Sequence, residues 1–166
     1  MSSCNCNTLL REFENNYKDS LQEDIKQVST LKLHDFLQGN REPSVYIKLD
    51  NNCLPKYFNL ESIFEKKCST QKKKCIDGAL FITKNNKEVC CCFFEFKLTL
   101  WDDVYDQIEE FINNFYNFFQ CKVNKDRIFL IYKKDNRSSV KKFKLSIPQK
   151  IKSDSIIDYS EICQCK

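Results

Sequence analysis

The sequence predicts a mixed α/β fold, α+β in character, with helices packed on one mixed sheet. Three observations carry this. Two stretches repeat apolar residues at three- and four-residue steps, and several shorter ones alternate or run unbroken in apolar residues. The two kinds interleave in the order helix, strand, short helix, strand, strand, helix, strand, strand, which is the pattern of a sheet with helices laid on it. A chain of 166 residues, 42% hydrophobic and 30% charged, can fill one core and leaves little room for a second, so residues 1–166 read as a single domain.

From Thr8 to about Leu37 the residues Leu9, Leu10, Phe13, Tyr17, Leu21, Ile25 and Val28 predict one long helix or two broken ones, ended by Gly39 and Pro43. The alternation Val45, Ile47, Leu49 predicts a half-buried strand, and Asn59 can cap a short helix over "NLESIFEKKC". Two strands follow, joined by "KNNK", where Asn85 and Asn86 tolerate the positive φ of a tight turn. Val104, Ile108, Phe111, Ile112, Phe115, Phe118 and Phe119 share one face of a helix that Asp102 or Asp103 can cap. "RIFLIYK" reads as a buried central strand, parallel to "CFFEFKLTL" because a helix connects them, and "VKKFKLSI" as an edge strand. The tail from Ser153 has no clear pattern.

Only 2 glycines and 3 prolines are present, so a glycine-rich phosphate loop or a dinucleotide fingerprint has nowhere to sit. No apolar run reaches the roughly 20 residues that span a bilayer, and no basic start precedes one, so the chain is expected to be intracellular, cytoplasmic or nuclear, with no membrane partner. In that setting the 11 cysteines read as buried small hydrophobes, metal ligands or incidental thiols rather than as a disulfide framework, with Cys90, Cys91 and Cys92 packed along a strand. The net charge is only +4, but its sign is uneven. Lys72, Lys73 and Lys74 precede Asp77, Lys133, Lys134 and Arg137 open a basic last third, and an acidic block from Asp102 to Glu110 lies between them. Two basic segments flanking an acidic one suit a phosphate backbone held beside a cation site.

The stretch "CIDGALFITKNNKEVCCCFFEFKLTL" places Asp77 at the head of one strand and Glu95 and Lys97 on the next. Alternation puts Glu95 and Lys97 on one face with Phe93, and Phe94, Phe96 and Leu98 on the other. With Asn86 at the apex, Asp77 lies directly opposite Glu95, nine residues away on each side, which requires an odd-length turn or a bulge. Two carboxylates ~5 Å apart repel unless a proton or a cation sits between them. A hard divalent cation, Mg²⁺ or Mn²⁺, suits that donor set, with Lys97 placed to stabilise charge developing on phosphorus.

Asp77 followed by Glu95-Phe96-Lys97, an acid opening one strand of a hairpin and Glu-x-Lys closing the other, resembles the PD-(D/E)xK nuclease superfamily, which includes restriction endonucleases, Holliday-junction resolvases and cap-snatching endonucleases. The resemblance covers roughly Asn59 to Tyr132 and implies a restriction-endonuclease-like mixed central sheet flanked by helices, its nuclease-like core at about 45–135. It implies Asp77 and Glu95 as metal ligands, Lys97 as the catalytic lysine, and Gln107 as the Gln of the RecB-type Q-x-x-x-Y motif, with Phe111 in place of Tyr. Ile76 stands where the family usually has Pro, and the helical Glu is open among Glu12, Glu14, Glu61 and Glu65. His34 in "KLHDFL" is similar in position to a helix histidine that some cap-snatching endonucleases use as a further ligand, and Asp50 is a second candidate. Cys4 and Cys6 near one end, and Cys163 and Cys165 near the other, form two C-x-C pairs that can meet in a Zn²⁺ site; some nucleases of this superfamily staple their ends with an iron–sulfur cluster.

The expected activity is metal-dependent hydrolysis of phosphodiester bonds in DNA or RNA, by a homodimer or as part of a larger complex. The alternative is a fold of the same kind that binds nucleic acid or protein without cutting.

Overall fold

The computed structural model describes residues 4–24, 29–34, 42–68, 73–137 and 148–163. Within these, helix α1 (Cys6–Asn16) is followed by a single 3-10 turn and strands β1 (Leu21–Asp24), β2 (Thr30–His34), β3 (Ser44–Lys48) and β4 (Cys53–Asn59). Helix α2 (Leu60–Lys67) leads to the hairpin β5 (Gly78–Lys84) and β6 (Glu88–Leu100). Helix α3 (Val104–Phe119), strands β7 (Ile128–Asp135), β8 (Gln149–Lys152) and β9 (Ser155–Asp158), and the single turn α4 (Tyr159–Ile162) complete the order.

A mixed α/β architecture results. Six strands form a central sheet in the order β1-β4-β5-β6-β7-β8, and β2-β3-β9 form a second sheet. β1, β4, β5 and β6 run antiparallel to their neighbours, whereas β6, β7 and β8 are parallel. The parallel pairing of β6 with β7, joined through α3, is the crossover the sequence predicts.

Both faces of the central sheet are buried. On one, Leu9, Leu10 and Phe13 of α1, Leu60, Ile63 and Phe64 of α2, and Ile108, Phe111 and Phe115 of α3 pack on Phe58, Phe81, Phe93 and Leu130. On the other, Leu31, Leu33, Val45 and Ile47 of the second sheet cover Leu80, Ile82, Phe94, Phe96 and Ile131, with Tyr159 and Ile162 of α4 alongside. The three longer helices therefore occupy one face only, and a sheet takes the place of helices on the other.

The helix expected up to Leu37 stops at Asn16. Thr30–His34 instead shows the burial alternation of a strand, paired residue for residue with β3, so long-range pairing overrides the local helical spacing. Asn59 caps α2 by accepting from Ser62 N–H, as expected, but Asp103, at the N-cap of α3, makes no side-chain cap hydrogen bond. β4 and the tail strands β8 and β9 have no counterpart in the sequence reading. The expected edge strand "VKKFKLSI" lies outside the described residues.

Six of the described cysteines are paired where the sequence reading treats them as separate thiols, and Cys53, Cys68, Cys75 and Cys92 stay free. Cys4–Cys121, Cys6–Cys91 and Cys90–Cys163 stand at disulfide distance, with Cα separations of 4.6, 5.7 and 5.6 Å. Cys90 and Cys91 point to opposite faces of β6, so the segment before α1 is tied to the helical face and the segment after α4 to the other. Cys4 and Cys6 therefore lie across the sheet from Cys163, each at disulfide distance from a cysteine other than the one expected beside it; Cys165 lies outside the described residues.

Gly78, the first residue of β5, is fixed by its neighbour. A Cβ built there falls 2.0 Å from the Tyr57 hydroxyl and 2.1 Å from its ring carbon, and Tyr57 is itself buried on β4. Gly78→Ala is expected to cost at least ~2 kcal/mol by overpacking, read from urea denaturation midpoints, with Tyr57→Leu in the same chain recovering part of the loss.

Candidate active site

The β5–β6 hairpin sets the register of the site. Lys84 pairs with Glu88 around the three residues Asn85, Asn86 and Lys87, and both asparagines adopt the left-handed region, at φ 53° and 57°. This is the odd-length turn required by the sequence argument. Gly78 pairs with Phe94, so the next position outward sets Asp77 against Glu95. Ala79, Phe81, Cys91 and Phe93 of the same two strands face the helices, and alternation places Asp77, Glu95 and Lys97 on that helical side.

Glu95 is only 3% exposed. Burial pushes its carboxyl well above the usual range, and Asp77 raises it further through its charge and a hydrogen bond between the two carboxyls, while the Lys97 charge pulls it down. Asp77 reaches across to β6, where Oδ2 accepts the Phe96 N–H at 2.6 Å. The Gln107 amide, on the second turn of α3, donates to Glu95 Oε2 and to the Cys75 carbonyl at 2.9 Å. The side chain of α3 thereby holds both the acidic strand and the segment leading into Asp77. That segment is anchored again by Leu60 N–H at the start of α2, which donates to the Asp77 carbonyl at 3.1 Å.

Two of the four candidate helical glutamates now separate. Glu61 is near enough for its charge to raise both Glu95 and the Cys75 thiol, whereas Glu14 pairs with Lys56 at 3.0 Å. Cys75 is absent from the sequence reading. Its thiol is pushed up first by burial and then by Glu95, and its carbonyl is the second acceptor of Gln107; no spacing pattern signals either role.

Two expected ligands belong elsewhere. His34 ends β2, opposite Ser44 in the second sheet, which covers the face of the central sheet away from Asp77 and Glu95. Asp50 accepts from the Tyr159 hydroxyl at 2.7 Å and pairs with Lys84 at 3.8 Å. Lys84 is at the hairpin end of β5, about 20 Å of strand from Asp77.

Of the expected phosphate contacts, Lys73 and Lys74 enter the Asp77 segment, with Lys74 paired to Glu110 at 3.6 Å. Lys133 and Lys134 end β7 at the same sheet edge, and Lys72 lies outside the described residues. Arg137 is already committed. Its side chain is 10% exposed, binds Asp135 through Nε at 2.8 Å and Nη2 at 2.7 Å, and donates to the Tyr105 hydroxyl, so it is not available to a phosphate.

Among the described residues no three His, Cys, Asp or Glu side chains converge closely enough to hold a metal ion. The donor set at the hairpin is a pair of carboxyls, which fits a hard divalent cation that takes one or two carboxylates and keeps several waters. No protein family, curated protein or solved structure matches the chain.

Two outcomes follow from these electrostatics. Glu95→Gln removes a buried carboxylate, so in EDTA at neutral pH it should raise the melting temperature. A carboxyl whose pKa is raised on folding destabilises as pH climbs above its ordinary value of 4.5, so the gap should close in acid. Asp135 behaves in the opposite way: hydrogen bonds from Arg137 and then Lys150 hold its pKa below the ordinary 3.8. Its contribution is present above that pH and fades as pH falls, so Asp135→Asn should cost ~1 kcal/mol at neutral pH, allowing for solvent screening, and nearly nothing in strong acid by urea denaturation.

Proposed function

We propose that the chain is a metal-dependent nuclease that hydrolyses phosphodiester bonds. The observation that supports this most directly is the register of Asp77 against Glu95, with Glu95 buried and its carboxyl pushed well above the usual range by burial and by the Asp77 charge beside it. A fold stabilised only by packing gains nothing from two acids there, whereas a cation site needs them. The likeness of Asp77 and Glu95-Phe96-Lys97 to the PD-(D/E)xK nucleases points the same way, as does the order of three antiparallel strands, a helix and a parallel strand in β4-β5-β6-α3-β7.

Asp77 and Glu95 would hold Mg²⁺ or Mn²⁺, which supplies a bound water of lowered pKa and neutralises charge on the phosphate. The chain's own residues do the rest. Asp77, fixed by the Phe96 N–H, keeps one oxygen turned toward β6, and Gln107 fixes the Glu95 carboxyl so that neither swings when it deprotonates. Lys97 follows Glu95 by one pleat on the same face and places an ammonium beside the carboxyls, where it offsets negative charge developing on the phosphate oxygens.

Titrating Mn²⁺ and Mg²⁺ should raise the melting temperature of the wild-type chain and not of Asp77→Ala. Lys97→Ala should keep metal-dependent stabilisation but lose about a hundredfold or more of its cleavage rate on mixed DNA and RNA substrates. A chain that binds neither metal and cuts nothing would instead be a nucleic-acid- or protein-binding module, with the acids a cross-strand cluster.

A further inference from the structure

Trp101 is the single tryptophan of the chain and is 56% exposed, directly after the last residue of β6. Its location gives that exposure a meaning. At ~3.3 Å per residue, its backbone lies about 20 Å beyond Glu95 and about 13 Å beyond Lys97 along the direction of β6. Lysines flank this stretch. Lys134 pairs in register with Thr99, two residues beyond Lys97, and Lys152 of β8 pairs with Tyr132, itself paired with Lys97. Beyond the indole the sign reverses, with Asp102 and Asp103 exposed at the start of α3.

A line of lysines leading from a carboxylate pair to a flat apolar ring, with acids past the ring, selects for a particular ligand. Phosphates are held over Lys97, Lys134 and Lys152 and are repelled by Asp102 and Asp103, so the group that reaches Trp101 is apolar and planar. Nucleobases have that shape, but in a duplex their faces are already covered by neighbouring pairs. Only an unpaired base can leave its stack for an aromatic side chain. We propose that Trp101 is a stacking platform for an unpaired base and that the substrate at the Asp77–Glu95 site is single-stranded nucleic acid. The proposal rests on the phosphodiester reading of that site, and it is separable from it by measuring binding alone.

Because Trp101 is the only tryptophan, intrinsic fluorescence reports on this one position. The full chain in EDTA is titrated with short oligothymidylate, with oligouridylate and with a blunt duplex of equal length. Quenching by a single strand and none by the duplex is expected. The two single-stranded arms then assign DNA or RNA according to which saturates at lower concentration. With a labelled oligonucleotide, Trp101→Ala should bind single strands about tenfold more weakly, while Trp101→Phe, which keeps a ring, stays close to wild type. Duplex binding equal to single-strand binding, or single-strand affinity unchanged in Trp101→Ala, would overturn the platform. Cleavage in Mn²⁺ without quenching in EDTA removes the platform and keeps the nuclease. Quenching with no cleavage in any metal keeps the platform and removes the nuclease.

Discussion

A carboxyl buried inside a sheet must have company, and Glu95 organises the structure around that requirement. Its oxygens face Asp77 across the hairpin and the Gln107 amide from α3, with the Lys97 charge one pleat along. Each of these comes from a different part of the chain, so one buried acid ties β5, β6, the segment before β5 and the main helix to one point. The three-residue turn at Asn85–Lys87 makes this possible. One residue more or fewer would turn Asp77 to the face where Tyr57 and Leu80 pack, and leave Glu95 opposite an apolar side chain.

The second constraint on the same strand is covalent or nearly so. Cys90 and Cys91 meet Cys163 and Cys6 on opposite faces of β6, well before the strand reaches Glu95. Closing loops of 85 and 73 residues in this way favours the folded state by limiting the unfolded chain. β6 is thus fixed at its first half by sulfur pairs and at its second half by Asp77 and Gln107. The exposed residues that follow, Leu98 and Trp101, are presented from a strand held at both positions.

Electrostatics divides the edge into two regions of different purpose. Asp135, Arg137, Lys150 and Tyr105 neutralise one another in a local network, with Arg137 stacked over the Tyr105 ring at 5.6 Å. A sum of charges along the basic last third therefore overstates what a polyanion would meet, because Arg137 and Lys150 are engaged with Asp135 inside the protein. Around Asp77 and Glu95, burial together with the neighbouring acid instead pushes the Glu95 carboxyl well above the usual range.

Much of this was legible in the residues themselves. Alternation assigned Glu95 and Lys97 to one face, two adjacent asparagines marked the turn, and counting outward from Asn86 placed Asp77 opposite Glu95, because strand parity and turn chemistry are local properties of the chain. The mixed fold and the parallel β6–β7 pair followed from the order of periodic segments. What failed were inferences that depended on distant partners. His34 read as helical until β3 offered Thr30–His34 a ladder, and Cys4, Cys6 and Cys163 stand at disulfide distance from partners that no spacing reveals. Glu61 and Cys75 joined the site only because α2 and the segment before β5 fold back onto it. Sequence alone determined which side chains share a strand face; the tertiary structure decided which faces meet, since pairing, burial and charge neutralisation are settled by neighbours far away along the chain.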